Sequence, residues 1–200
     1  MHTVGRELAG LTRGGDLVIL VGELGAGKTQ LAQGIGQGLG VAGPVTSPTF
    51  VIARIHRAGA GRPDLVHVDA YRLGSAGEID DLDLEAEMAT AVTVVEWGRG
   101  FVEHLSDHWL AIEIRRSDDV DDETREVVIE AVGERWANLV PDWERLVNEA
   151  MGRDAAADRD ASLDGNEAED WVGGEPREDS QDQNLAEESV VDQPREGSVQ

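Results

Sequence analysis

The sequence predicts an α/β domain, a central mixed β-sheet flanked by helices, over residues 1–150, with a disordered acidic tail over 151–200. Three observations carry this expectation. Short, β-branched apolar runs alternate with segments of helical spacing as far as Ala150. The first run, LVILV at 17–21, feeds a glycine-rich loop, and Leu31, Ile35 and Leu39 then recur at helical spacing. Beyond Ala150 the apolar rhythm stops. The chain becomes Asp, Glu, Gln and Ser with few large apolar residues, too few to offset the entropy of ordering it.

The elements follow in order. A helix is expected over 3–12, a strand over 17–22 and a helix over 28–39. Gly34, Gly36 and Gly38 each weaken that helix by about 1 kcal/mol relative to Ala, so packing on the sheet must hold it. PVTSPTF (44–50), punctuated by Pro44 and Pro48, reads as a loop. FVIARIH (50–56) reads as a strand, RAGAGRPD (57–64) as a turn, and LVHVDAYRL (65–73) begins as another strand. Ser75 followed by Glu78 resembles a capping box opening a short helix. AVTVVEWG (91–98) is a strand ending in charge. WLAIEIRR (109–116) and TREVVIEAV (124–132) alternate as a hairpin around the acidic turn SDDVDDE, and 136–150 is a closing helix. Trp109, Trp136 and Trp143 are expected in the core or at its rim.

Composition narrows the function. There is no cysteine, hence no disulfide framework and no thiol chemistry. No apolar stretch approaches the roughly 20 residues of a membrane helix, and the N-terminus lacks a signal-peptide core, so a cytoplasmic location is expected. The formal net charge is −24, of which residues 1–150 contribute −13 and residues 151–200 contribute −11. That balance argues against direct binding to a polyanion such as nucleic acid. Trp171-Val172 is the one docking-like feature of a tail that otherwise reads as solvated.

Residues 22–29, GELGAGKT, fit G-x-x-x-x-G-K-[ST], the phosphate-binding loop of P-loop NTPases. Backbone N–H groups of such a loop cradle phosphates, and the following helix points its positive end at them. Lys28 is the only lysine in the chain, beside sixteen arginines. The loop needs a compact charge on a flexible stem, which a planar guanidinium does not supply. Thr29 brings a hydroxyl for Mg2+. Catalysis needs further groups at the carboxyl ends of neighbouring strands. Asp69 closes LVHVD and Glu96 closes VTVVE. Thr46, Ser47 and Thr49 lie where switch loops sense the γ-phosphate, although a simple proline turn would also use such hydroxyls.

GELGAGKTQL, GPVTSPTF, HVDAYRL and VVEW, in this order and near these spacings, resemble the TsaE family (formerly YjeE) over about residues 3–140. The resemblance implies a compact P-loop ATPase with weak hydrolysis, strengthened by the TsaB–TsaD complex. That complex puts threonylcarbamoyl on adenosine 37 of tRNAs reading codons that begin with A. Contact with tRNA would be indirect, through the partner. ATP and Mg2+ are the implied cofactors. Carried onto this chain, Lys28, Glu96 and Asp69 form the catalytic set, and Thr29, Glu96 and Asp69 serve the metal. The nucleotide is held by Glu23, Gly25, Ala26, Gly27, Lys28, Thr29, Gln30, Thr46 and Trp97. Tyr71 and Arg72 match the family segment with no role assigned. Relatives commonly begin with a strand ahead of the first helix, whereas Met1 stands almost at the helix here. Many also carry an acidic residue soon after the Glu-Trp pair, where this chain has Gly98-Arg99-Gly100, with Arg99 expected as a loop residue.

Other readings fit less well. A GTPase of the common kind uses N-K-x-D, which needs a second lysine. A P-loop kinase of small metabolites usually carries an arginine-rich lid, and the region after Glu96 is short. His104 and His108 have i, i+4 spacing but no evident third metal ligand.

Overall fold

In a computed structural model, residues 1–117, 119 and 124–164 are described. One six-stranded sheet comprises β1 (Leu17–Val21), β2 (Ala53–His56), β3 (Leu65–Asp69), β4 (Val92–Glu96), β5 (Trp109–Arg116) and β6 (Arg125–Val132). Its order is β2-β3-β4-β1-β5-β6. The inner strands β3, β4, β1 and β5 run parallel, and the edges β2 and β6 pair antiparallel, so the sheet is mixed as expected. Parallel strands buried on both faces favour continuous apolar runs; LVILV supplies one, and VTVV is interrupted only by buried Thr93.

Alternation along each strand divides the core. Val18, Leu20, Leu65, Val92, Val94, Leu110 and Ile112 pack under α1 (His2–Ala9), α2 (Lys28–Leu39) and α5 (Glu134–Asp164). Leu17, Ile19, Val66, Val68, Val95 and Ala111 face the opposite layer, which includes Ile79 of α3 (Ala76–Asp80) and Met88 of α4 (Glu85–Met88). The same parity carries His67, Asp69 and Glu96 onto the α2 side.

The glycines of α2 have a packing reason. A Cβ at Gly34 would fall 2.1 Å from the His2 carbonyl oxygen, and one at Gly38 would fall 2.5 Å from Ala9 Cβ. Helix α1 therefore lies directly on the α2 backbone. Trp136 and Trp143 of α5 are buried in the same layer, and Trp143 Nε1 donates to the Val4 carbonyl at 3.2 Å. The start of α5 is tied down by Arg135, whose guanidinium forks onto both carboxylate oxygens of buried Asp16 and also donates to the Leu11 carbonyl.

Several boundaries differ from expectation. The strand expected at 50–56 begins only at Ala53. The Val51 and Ile52 amides both donate to the Pro48 carbonyl, at 2.8 and 2.7 Å, closing a turn that leaves Phe50 91% exposed. The expected capping box does not form: Glu78 accepts from the Gly74 amide at 3.3 Å rather than from that of the N-cap Ser75, and Ser75 caps no backbone group. Helix α1 stops at Ala9, and α4 had no clear sequence signal. Helix α5 begins at Glu134 and continues past the boundary expected at 150 to Asp164; the remainder of the expected tail, 165–200, lies outside the described residues. The acidic turn, apart from Ser117 and Asp119, and Trp171-Val172 lie outside them too. Among the described residues no helix is long and apolar enough to cross a membrane.

Two substitutions test this packing. Gly34→Ala gains about 1 kcal/mol in helix propensity, yet its methyl meets a backbone oxygen that cannot step aside. The thermal midpoint should fall; a rise would show that α1 does not rest on α2. Arg135→Ala leaves a buried carboxylate uncompensated and should cost about 3 kcal/mol in denaturant unfolding. A loss no larger than that of an exposed ion pair, such as Arg145→Ala on α5, would rule out the anchoring role.

Candidate nucleotide-binding site

The loop between β1 and α2 is shaped by glycine. Gly22 has φ 144°, and a Cβ there would lie 2.5 Å from the Ile114 carbonyl oxygen of β5. Gly27, with φ 115°, is the N-cap of α2 and has no side chain with which to cap it. The first-turn N–H groups of α2 are thereby left for a ligand, with the positive end of the helix dipole behind them. They border a cavity of about 570 Å³. Leu24–Gln30 line one side of it, Ser47, Thr49, Asp69, Glu96 and Trp97 the other, and Met1 and Arg125 complete the wall.

Lys28 is only 5% exposed. Its Nζ donates to the carbonyls of Gly22 at 2.7 Å and Glu23 at 2.9 Å, and lies 3.7 Å from the centre of the Trp97 ring. Burial pushes its pKa below the usual lysine value, while the Glu96 and Asp69 charges pull the other way. Trp97 holds left-handed backbone, φ 61°, with its amide donating to the Leu20 carbonyl at 3.0 Å. Its ring meets that of Tyr71 at 5.1 Å.

Beside Lys28, the Thr29 hydroxyl donates to the buried Glu96 carboxylate, 3.0 Å from Oε1 and 3.1 Å from Oε2. From below, His67 Nε2 lies 2.9 Å from the same Oε1. Asp69 is the register partner of Glu96 on the adjacent strand. Its Oδ2 accepts from Thr49 Oγ1 at 2.5 Å and its Oδ1 from the Tyr71 amide at 3.0 Å. One hydroxyl and two carboxylates at the end of a phosphate-binding loop make an all-oxygen donor set. Such donors fit magnesium, which takes one or two carboxylates and completes its shell with phosphate oxygens and water. Among the described residues no group of three or more His, Cys, Asp or Glu side chains forms a metal cage of its own.

Most of the expected residues therefore converge. Gly25, Ala26, Gly27, Lys28, Thr29, Gln30, Asp69, Glu96 and Trp97 line one cavity. Glu23 contributes its carbonyl to Lys28. Thr46 lies apart: its Oγ1 accepts from Arg54 at 2.5 Å, and the hydroxyls that reach the cavity are those of Ser47 and Thr49. Arg99 pairs with Glu130 on β6, away from the cavity. His104 bonds Asp80 at 2.9 Å, and the short helical turn bearing it ends at Leu105, so His108 does not share its face. Sequence reasoning missed Met1, Arg125 and His67. Arg125 opens β6 opposite Arg116, whose guanidinium approaches the loop at Gly25, so the hairpin register was the signal. For His67 the signal was its place two residues before Asp69, on the same strand face.

The family model for the threonylcarbamoyl adenosine biosynthesis protein TsaE matches residues 1–127. A tRNA threonylcarbamoyladenosine biosynthesis protein TsaE of Streptomyces coelicolor is 56% identical over 139 residues, covering 68% of this chain and 94% of that protein. The Bacillus subtilis protein of the same name is 35% identical over 146 residues, covering 72% of this chain and 88% of its own length. The crystal structure of Bacillus subtilis YdiB superposes with a TM-score of 0.58 at 32% identity, covering 72% of this chain and 86% of YdiB. With the family model spanning more than half its length and the site geometry described above, this chain belongs to the TsaE family.

Proposed function

We propose that this chain is the ATP-hydrolysing component of the machinery that forms threonylcarbamoyladenosine at position 37 of tRNAs reading codons that begin with A. The observation that carries the reading is the meeting of Lys28, Thr29, Asp69 and Glu96 around one cavity at the phosphate-binding loop. The loop backbone and Lys28 would hold the β- and γ-phosphates. Thr29 would offer its hydroxyl to magnesium, with Asp69 and Glu96 accepting from the water around it. Magnesium bound there would neutralise charge developing on the phosphate oxygens. Glu96 is also the group placed to orient an attacking water. Ser47 and Thr49, on the loop beside Asp69, are the hydroxyls through which a change at the γ-phosphate would reach the surface.

Hydrolysis by the chain alone is slow in this reading, and the TsaB–TsaD complex accelerates it. Exposed Phe50 and Val51 directly follow the cavity residue Thr49, and the ring of exposed Tyr71 meets that of Trp97, so a partner there would sense the nucleotide state. The acidic charge of the chain leaves tRNA contact to that partner.

Phosphate release with and without TsaB–TsaD, at fixed magnesium and salt, tests the proposal. Stimulation supports it; hydrolysis indifferent to the complex points to another partner, and a phosphorylated metabolite in place of free phosphate points to a kinase. Lys28→Ala should reduce release to background while the far-UV circular dichroism stays that of the folded chain. Glu96→Ala should lower turnover about 10²-fold or more while nucleotide still binds. A variant that binds ATP poorly but turns over bound ATP normally would remove Glu96 from the chemistry.

A further inference from the structure

We propose that His67 is a positioning residue for the nucleotide site, holding the Glu96 carboxylate in place from within the sheet. The inference rests on the reading of Glu96 as a group that serves the metal and water.

His67 is fully buried in β3, and Glu96 at the end of β4 is nearly so. In the parallel register His67 stands opposite Val94, two residues before Glu96, so the two side chains share a face as diagonal neighbours. A carboxylate only accepts hydrogen bonds, so the proton of the 2.9 Å contact sits on His67 Nε2. Nδ1 has no hydrogen-bond partner among the described residues. With the proton on Nε2 it carries a lone pair, whereas the other tautomer would bury an unpaired N–H and set two acceptors against each other.

The described residues give Glu96 two side-chain donors, Thr29 and His67. The Thr29 hydroxyl is the one magnesium would claim. His67 is the one that stays, and it fixes Oε1 whatever Thr29 does. A packing role alone does not account for this residue. An apolar side chain in β3 would fill the space among Leu65, Val92 and Val94 without needing a partner, yet would leave Glu96 Oε1 short of a donor at the moment Thr29 turns away. Such outer partners typically change metal affinity or activity 10- to 100-fold when removed.

The first readout needs no nucleotide. Long-range 1H–15N NMR of the full chain should show His67 as the Nε2–H tautomer, with that resonance shifting in Glu96→Ala. An Nδ1–H tautomer would overturn the proposal. The second readout is the affinity for a fluorescent ADP analogue as Mg2+ is titrated. In His67→Leu, affinity in EDTA should equal that of the wild type, while the Mg2+ concentration giving half the enhancement should rise about 10- to 100-fold. His67→Gln places an N–H at the reach of Nε2 and should restore it; His67→Asn reaches only as far as Nδ1 and should not. Wild-type Mg2+ dependence in His67→Leu would overturn the assignment, as would equal behaviour of the Gln and Asn variants should the Leu variant fail to fold. A wild-type chain indifferent to Mg2+ would instead sink the functional reading, and the tautomer alone would then decide on His67.

Discussion

The site depends on the level alignment of three parallel strands. Leu20 of β1 is in register with Glu96 of β4, and Glu96 with Asp69 of β3. The strands therefore finish at one height, and the chain leaving Val21 enters the glycine loop beside both carboxylates. A slip of one residue along β3 or β4 would turn its carboxylate to the opposite face. The apolar residues two and four positions earlier, Leu65 on β3 and Val92 and Val94 on β4, fix that register because each must reach the core under α2. Core packing and the geometry of the candidate site are thus one constraint.

Burial at this strand edge carries a cost that the local arrangement offsets. Lys28, His67, Asp69 and Glu96 are all buried. Unpaired, each charged group among them would lose several kcal/mol of solvation. Lys28 takes two loop carbonyls and the Trp97 face, Glu96 takes Thr29 and His67, and Asp69 takes Thr49 and the Tyr71 amide. The left-handed backbone of Trp97 costs about 1–3 kcal/mol, and a cation over an indole returns about 0.5–2. The two are comparable, so the strain is tolerable only with the Leu20 hydrogen bond and the Tyr71 ring beside it. A triphosphate would compete for the Lys28 ammonium, and the contacts to the Gly22 and Glu23 carbonyls are what it must replace.

What the sequence revealed follows the same physics. The β1–loop–α2 unit was legible almost to the residue, because periodicity, glycine and a lysine in one pattern leave little freedom. Asp69 and Glu96 were legible as charges ending apolar runs. The start of β2 was not, since FVIARIH has strand composition throughout and only the carbonyl of Pro48 diverts Val51 and Ile52 into a turn. Nor was the choice among Thr46, Ser47 and Thr49. Spacing treats the three alike, and it is Arg54 on β2, bonding Thr46, that separates them. The length of α5 escaped because composition judges whether a segment can bury surface, and a helix continuing from a packed start needs no new core. His67 escaped because a lone histidine in an apolar strand carries no pattern; only its diagonal neighbour gives it a meaning.

The solitary lysine answers to the same geometry. Two of the chain's arginines sit where a fork is needed. Arg135 straddles both oxygens of Asp16, and Arg115 bonds both oxygens of Glu113. Lys28 meets a different demand. Two carbonyls of successive loop residues and the face of an indole converge on one atom. A tetrahedral ammonium with three donors and a small radius satisfies such a set; a flat guanidinium, larger and with its donors in one plane, does not. The geometry that holds the cation without a ligand is thus the geometry that suits a phosphate oxygen, and it accounts for a lysine here in a chain that otherwise spells its positive charges as arginine.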